Sequence, residues 1–231
     1  MHGDVAVLVP AAGLGTRLGP GAPKALREVA GAPLLAHAVA RLSRAPSVGC
    51  IVVAAPPGRD AEVRATLGAP TGVGVHVVEG GATRQESVAA ALRWVADGYG
   101  IILVHDAARA FAPPDLVERV AAAVRSGHDV VIPVLPVVDT IKQVDADGYV
   151  TGTPERASLR VVQTPQGFRR SVLERAHRGA PGGATDDALL AERVGARVFC
   201  VPGSAAAVKI THPADLATAE LLATGVDTLG T

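Results

Sequence analysis

Residues 5–24 read VAVLVPAAGLGTRLGPGAPK. Six nearly continuous apolar residues, Val5–Pro10, run into a loop with glycines at 13, 15 and 19 and cations at Arg17 and Lys24. An apolar run without alternation suits a strand covered on both faces, and such strands belong to parallel sheets. In the loop, residues without a Cβ let backbone N–H groups crowd round an anion. A triphosphate asks for both features: amides for close oxygen contacts, and cations that offset charge on a leaving group.

The same rhythm continues outward from this unit. Strands are expected at Val5–Pro10, Cys50–Ala54, Val73–Val78, Ile101–His105, Val130–Val134 and Arg197–Val201. Helices are expected near Leu34–Ser43, Asp60–Leu67, Arg84–Ala96, Asp115–Ser126, Arg170–Arg178, Asp186–Val194 and Ala214–Ala223. Thr83 with Glu86 has capping-box spacing, and Thr211 precedes a Pro-Ala-Asp helix start. Strand–helix–strand alternation predicts an α/β fold: an open, mostly parallel twisted sheet with helices on both faces.

One stretch breaks the rhythm. Pro136 to Phe168 is polar and turn-rich, with short strand-like pieces around Asp147-Gly148. It reads as a projecting arm, at about 136–160, on one domain spanning 1–231. An arm that cannot bury its own apolar face packs on a partner, so a homodimer is expected.

Composition narrows the function. The chain has 231 residues, 48% hydrophobic and 19% charged, which excludes a disordered chain. Lys+Arg 22 equals Asp+Glu 22, so no bulk field favours nucleic acid or an anionic membrane. No segment reads as a membrane span, and an acid before a short apolar run at the start does not read as a signal peptide. Cys50 and Cys200 lie in apolar runs and are expected to be buried free thiols of a cytoplasmic protein.

Rival readings of the first loop remain. Gly13-x-Gly15 fits a dinucleotide fingerprint, but Leu18 stands at its third position, and no acid for a ribose follows the second strand. A P-loop lacks its Gly-Lys-Ser/Thr. A plain glycine-rich turn stays open for this loop taken alone. Ligands on open α/β sheets gather at the carboxyl ends of strands, however, and more polar groups fall there. Gly80-Gly81 with Arg84 and Ser87 would read a base or ribose, or form a capped helix start. Asp106, ending an apolar strand, would hold Mg²⁺, a substrate hydroxyl or an internal arginine; Arg109 would hold a phosphate, and His105 is structural. The arm carries Thr140, Arg156 and Thr164. Lys209 lies between strand-forming residues just before a helix, where an anion or a solvated position would suit it.

PAAGLGTRLG at 10–19 with Pro23-Lys24, GGATRQESV at 80–88, HDAAR at 105–109, DTIK at 139–142, QTPQ at 163–166, TDDA at 185–188 and VKIT at 208–211 occur in this order. Together, from Val9 to about Leu222, they resemble the 2-C-methyl-D-erythritol 4-phosphate cytidylyltransferase family of the non-mevalonate isoprenoid route. The opening loop is shared by many sugar-nucleotide transferases; HDAAR, DTIK and QTPQ together are more specific. The resemblance implies a Rossmann-like nucleotidyltransferase sheet with a dimerising β-arm. It implies transfer of CMP from CTP to 2-C-methyl-D-erythritol 4-phosphate, with Mg²⁺ and release of pyrophosphate.

It also implies roles. Arg17, Lys24, Arg156 and Lys209 would be the catalytic cations, with Arg156 reaching the neighbouring subunit's site. Ala11, Ala12 and Gly13 would touch CTP through the backbone, and Gly81, Ala82 and Ser87 would line the cytosine and ribose pocket. Asp106, Arg109, Thr140 and Thr164 would meet the polyol phosphate, and Asp106 would also be the metal ligand. Three departures stand out: Ala82 where an acid is frequent, Ala110 where proline is usual, and Val208 where asparagine is common. None removes a charged candidate. The nearest rivals are a ribitol-5-phosphate cytidylyltransferase and another sugar-phosphate nucleotidyltransferase; an NAD(P) oxidoreductase and a non-catalytic nucleotide sensor fit the residues less well.

Overall fold

The structure, a computed structural model, describes residues 3–13, 18–19, 22–68, 72–179 and 183–225. In chain order these form β1 (Val5–Pro10), β2 (Glu28–Val29), β3 (Ala32–Pro33), α1 (Leu34–Leu42), β4 (Val48–Ala55), α2 (Asp60–Leu67), β5 (Gly74–Glu79), α3 (Arg84–Trp94) and β6 (Ile101–Val104). Then come α4 (Pro114–Arg125), β7 (Val130–Pro136), β8 (Gln143–Val144), β9 (Val150–Gly152), β10 (Arg160–Val162), β11 (Gln166–Arg169), α5 (Arg170–His177), α6 (Asp187–Arg193), β12 (Val198–Pro202) and α7 (Asp215–Ala223).

The main sheet runs β10–β7–β11–β6–β1–β4–β5, and β12 pairs with β7 outside this order. β1, β4, β5 and β6 are parallel, as are β7 and β12; β10 and β11 alone run against their neighbours. The expected mostly parallel α/β sheet with helices on both faces therefore forms. Its cause is visible along β1, whose residues are all apolar and alternate between two cores. Val5, Val7 and Val9 face α1 and α4, while Ala6 and Leu8 face α3 and α5. A strand lined this way on both faces has no wet side.

The chain leaves β1 toward β4 on one side, while β6 lies on the other. The strand order reverses there, so the loops after β1 and β6 diverge and leave a crevice between them. That crevice holds the site described below.

Beyond the short β2–β3 pair, which was not expected, two departures from the sequence reading have a clear physical cause. First, β11 was not expected: four residues with a central glycine carry little strand signal. Gly167 is required because a Cβ there would stand 2.6 Å from Val120 Cγ1 and 2.9 Å from Val124 Cγ2. Second, Cys200 is exposed, whereas Cys50 is buried; both are free. The expectation of two buried thiols is corrected for Cys200, because β12 is an edge strand with only β7 beside it. The arm itself contains the hairpin β8–β9, separate from the main sheet, and every residue from 138 to 151 is exposed. Asp145 closes the turn, its Oδ1 accepting from the N–H groups of Asp147 and Tyr149. Among the described residues, no helix is long and apolar enough to cross a membrane.

Candidate functional site

The carboxyl ends of β1, β5 and β6 open into a cleft of about 270 Å³. One wall is the backbone Pro10–Gly13, tied back by Ala11 N–H donating to Ala54 O at 2.9 Å. A second wall is the turn between β5 and α3. Gly80 N–H donates to Ala55 O at 2.8 Å, and a Cβ on Gly80 would lie 2.8 Å from that same oxygen. A side chain cannot be fitted, so the loop lies flat on the end of the sheet. Thr83 and Glu86 form the expected capping box, which sets the start of α3. Ser87 is fully buried. Its Oγ donates to Thr83 O at 2.8 Å and accepts from Gly81 N–H at 3.2 Å, stitching the turn to the helix.

Lys24, Ala82, Arg84, Asp106 and Lys209 also line the cleft. Asp106 is its one acid among the described residues, and its carboxylate joins two cations. Oδ1 accepts from Arg84 Nε at 3.1 Å, and Oδ2 stands 2.8 Å from Lys209 Nζ. Burial raises the cost of ionising Asp106, but the Arg84 and Lys209 charges outweigh it and hold the group well below the usual carboxylate range. Lys24 sits in a single 3₁₀ turn and adds its charge to the field that keeps Asp215 low, after the His212 and Thr211 N–H groups.

Behind Asp106 lies a polar chain. Asp106 N–H donates to Thr164 Oγ1 at 3.0 Å, and Thr164 Oγ1 lies 3.3 Å from His105 Nδ1. His105 Nε2 lies 3.2 Å from Arg109 O. A neutral ring with its proton on Nε2 satisfies each of these groups. Complete burial favours that form and pushes His105 down to about 4.

Of the residues singled out from sequence, Ala11, Ala12, Gly13, Lys24, Gly81, Ala82, Ser87, Asp106 and Lys209 line one cleft. Thr164 stands directly behind it. Arg109 does not line it: the guanidinium is buried and donates to Ala207 O at 2.7 Å and Val162 O at 3.0 Å, tying together the chain before Lys209 and the end of β10. Thr140 and Arg156 are exposed on the arm, away from the cleft lining, and Arg156 Nη1 donates to Val138 O at 2.6 Å. Arg17 lies outside the described residues. Two residues given no role from sequence, His177 and Asp187 (the latter within the TDDA stretch), reach the site from behind through Arg84.

No cluster of three or more potential metal ligands occurs among the described residues. A lone carboxylate beside glycine-rich backbone suits a magnesium ion carried mainly by phosphate oxygens and water, since that ion takes few protein ligands. Asp106 is the one carboxylate in the lining, and with Oδ1 on Arg84 and Oδ2 on Lys209 it would ligate a metal only by sharing or releasing one of them.

Comparison with known proteins gives a consistent result. The sequence profile of the 2-C-methyl-D-erythritol 4-phosphate cytidylyltransferase family matches residues 5–224. A relative of that name from Frankia casuarinae is 53% identical over 218 residues, 94% of this chain and 80% of that one. Another from Streptomyces avermitilis is 50% identical over 224 residues, 93% of this chain and 90% of that one. Among solved structures, 2-C-methyl-D-erythritol 4-phosphate cytidylyltransferase from Thermus thermophilus superposes with a TM-score of 0.77 at 41% identity, covering 97% of this chain and 100% of that one. The 4-diphosphocytidyl-2C-methyl-D-erythritol synthase of Anaerococcus prevotii gives 0.83 at 26% identity, over 95% and 96% of the two chains.

Proposed function

We propose how the cleft works from the premise that this chain belongs to the 2-C-methyl-D-erythritol 4-phosphate cytidylyltransferase family. The enzyme transfers CMP from CTP to 2-C-methyl-D-erythritol 4-phosphate and releases pyrophosphate, a step of isoprenoid precursor synthesis by the non-mevalonate route. Matches over more than nine-tenths of this chain to relatives of that name favour methylerythritol phosphate over ribitol 5-phosphate as acceptor.

In the proposed mechanism an oxygen of the acceptor phosphate attacks the α-phosphorus of CTP in line. A new P–O bond forms, the α–β bridging bond breaks, and its electron pair leaves with pyrophosphate. The attacking group is already an anion, so no general base is needed. Catalysis is positioning and charge stabilisation. The backbone at Ala11, Ala12 and Gly13 would receive the triphosphate. Gly81, Ala82 and Ser87 would hold cytosine and ribose, Ser87 by keeping the turn flat. Arg17, Lys24 and Lys209 would offset charge on the leaving pyrophosphate. Asp106, backed by Thr164, would orient the acceptor or hold the metal, with Arg109 bracing the segment before Lys209. Bound Mg²⁺ would neutralise phosphate charge.

Thr140 and Arg156 lie on the arm, so their roles require a second copy. The exposed Val138, Val144, Tyr149 and Val150 support an arm that packs on a partner. A homodimer in which each arm brings Arg156 to the other cleft follows. Free Cys50 and Cys200 are in keeping with the reducing cytoplasm.

The observation that carries this mechanism is the Asp106 carboxylate between Arg84 and Lys209 at the strand ends, facing the glycine loops. The test is pyrophosphate release from each nucleoside triphosphate with each polyol phosphate and Mg²⁺. Release from CTP with methylerythritol phosphate is expected; release with ribitol 5-phosphate alone overturns the acceptor.

A further inference from the structure

Arg84 bridges two carboxylates. Its Nε donates to Asp106 Oδ1 at 3.1 Å, and its Nη1 donates to Asp187 Oδ2 at 2.6 Å. The two acids differ in one decisive respect. Asp106 lines the cleft, whereas Asp187 is fully buried and has no access to any ligand. The second oxygen of Asp187 faces His177 Nε2 at 2.9 Å, so both of its oxygens are occupied from within the protein.

A buried carboxylate is costly unless its partners are well placed. Here the partners are fixed from several directions. Asp186, the neighbour of Asp187, caps α6 by accepting from Leu189 N–H at 2.9 Å. Gln166 Nε2 donates to Asp186 Oδ2 at 2.8 Å, while Gln166 Oε1 accepts from Ala188 N–H at 3.2 Å. Gln166 begins β11, where it pairs in register with Val104, two residues before Asp106. Both acids that hold Arg84 are thus referenced to the same pair of strands.

Asp106 has two cationic partners of unequal freedom. Arg84 is held from behind by Asp187; the Lys209 side chain is 43% exposed. A triphosphate in the cleft would compete with Asp106 for Lys209. We propose that Asp187 is a positioning residue for the transfer: acting through Arg84, it holds the Asp106 carboxylate at the cleft wall and leaves Lys209 able to turn to the phosphates. This rests on the transfer reaction of the preceding section.

The test is a double-mutant cycle with Arg84→Gln, Asp187→Asn and both together. Amide side chains keep hydrogen-bonding capacity and delete both charges. kcat and KM for CTP are read from pyrophosphate release, and melting temperature from calorimetry. Each single variant is expected to lose about tenfold to a hundredfold in kcat, the scale of a small misplacement at a reacting centre, with KM for CTP changed much less. The double variant is expected to match Arg84→Gln within about twofold, because Asp187 acts only through Arg84. An Asp187→Asn enzyme with a lowered melting temperature but unchanged kcat overturns the proposal, and so does a double variant in which the two losses multiply. Should Asp187→Asn fail to fold, Arg84→Lys decides: it keeps the charge but cannot bridge both carboxylates, so a lowered kcat with KM for CTP changed much less supports the proposal and an unchanged kcat overturns it. A wild-type chain that releases no pyrophosphate from CTP and methylerythritol phosphate defeats the reaction itself, a result distinct from a wild-type enzyme whose cycle is additive.

Discussion

Lys209 Nζ stands 2.8 Å from Asp106 Oδ2, although the two residues follow different strands, β12 and β6. The ion pair joins the segment after the last strand of the sheet to the crevice at its centre. It also keeps a cation in the lining of the same cleft as the Pro10–Gly13 backbone.

Lys24 and Lys209 are therefore expected to act on the leaving group rather than on folding. Lys24→Ala should lower the rate by about 10²–10³-fold, the usual loss for one preorganised charge-stabilising group. Pyrophosphate release at saturating CTP measures this. A near-normal rate would remove Lys24 from the chemistry.

His105 gives a pH signature. Its ring stays neutral when folded down to about 4, whereas the unfolded chain takes up the proton near pH 6.5. Between those values the unfolded state binds the extra proton, so stability contributed by the neutral ring is complete above about 6.5 and falls as pH drops toward about 4. Ring resonances followed by NMR should stay unchanged from neutral pH until close to 4. A His105 midpoint at the ordinary value would contradict the buried, hydrogen-bonded ring.

Gly80→Ala should damage the nucleotide side of the cleft. The added methyl would meet Ala55 O at 2.8 Å, Ser87 Oγ at 2.9 Å and Ala12 Cβ at 3.1 Å. An overpacked site of this kind costs about 1–3 kcal/mol. Calorimetry should show a lower melting temperature, and kinetics a raised KM for CTP. Unchanged values for both would mean that the turn has room the structure denies it.

The arm makes two linked expectations. Val144 and Val150 are cross-strand partners on the hairpin and are both exposed. Val144→Asp with Val150→Asp should convert a dimer to a monomer in sedimentation analysis; a dimer of native size would refute the interface. Arg156→Ala should raise KM for the polyol phosphate more than for CTP, and equal effects would place Arg156 elsewhere.

Much of this architecture was legible in the chain, and the exceptions have physical reasons. β1 runs over the predicted residues because nothing in VAVLVP competes with a buried strand. β4 begins earlier than the expected Cys50, since Gly49 hides a strand start that the neighbouring ladder supplies. β7 extends to Pro136 despite two prolines, because its end pairs with β10, a partner brought from beyond the arm. At the site, the Gly80 turn and Asp106 were readable because each sits where an apolar run stops, and Lys209 because it is a lone charge between Val208 and Ile210. Arg84 and Asp187, separated by 103 positions, meet only after α3 and α6 pack on the same face of the sheet. Arg109 looked like a phosphate ligand because a charge after a strand usually faces outward; folding instead commits it to two carbonyl oxygens.

The polypeptide that returns from the arm as β10 passes through Thr164 before entering the sheet as β11. Thr164 is also the hydroxyl that receives the Asp106 amide. If the arm seats on a second copy as proposed, assembly and chemistry share one short length of chain, and a pull on the projecting hairpin reaches the cleft wall through the single hydrogen bond at Thr164.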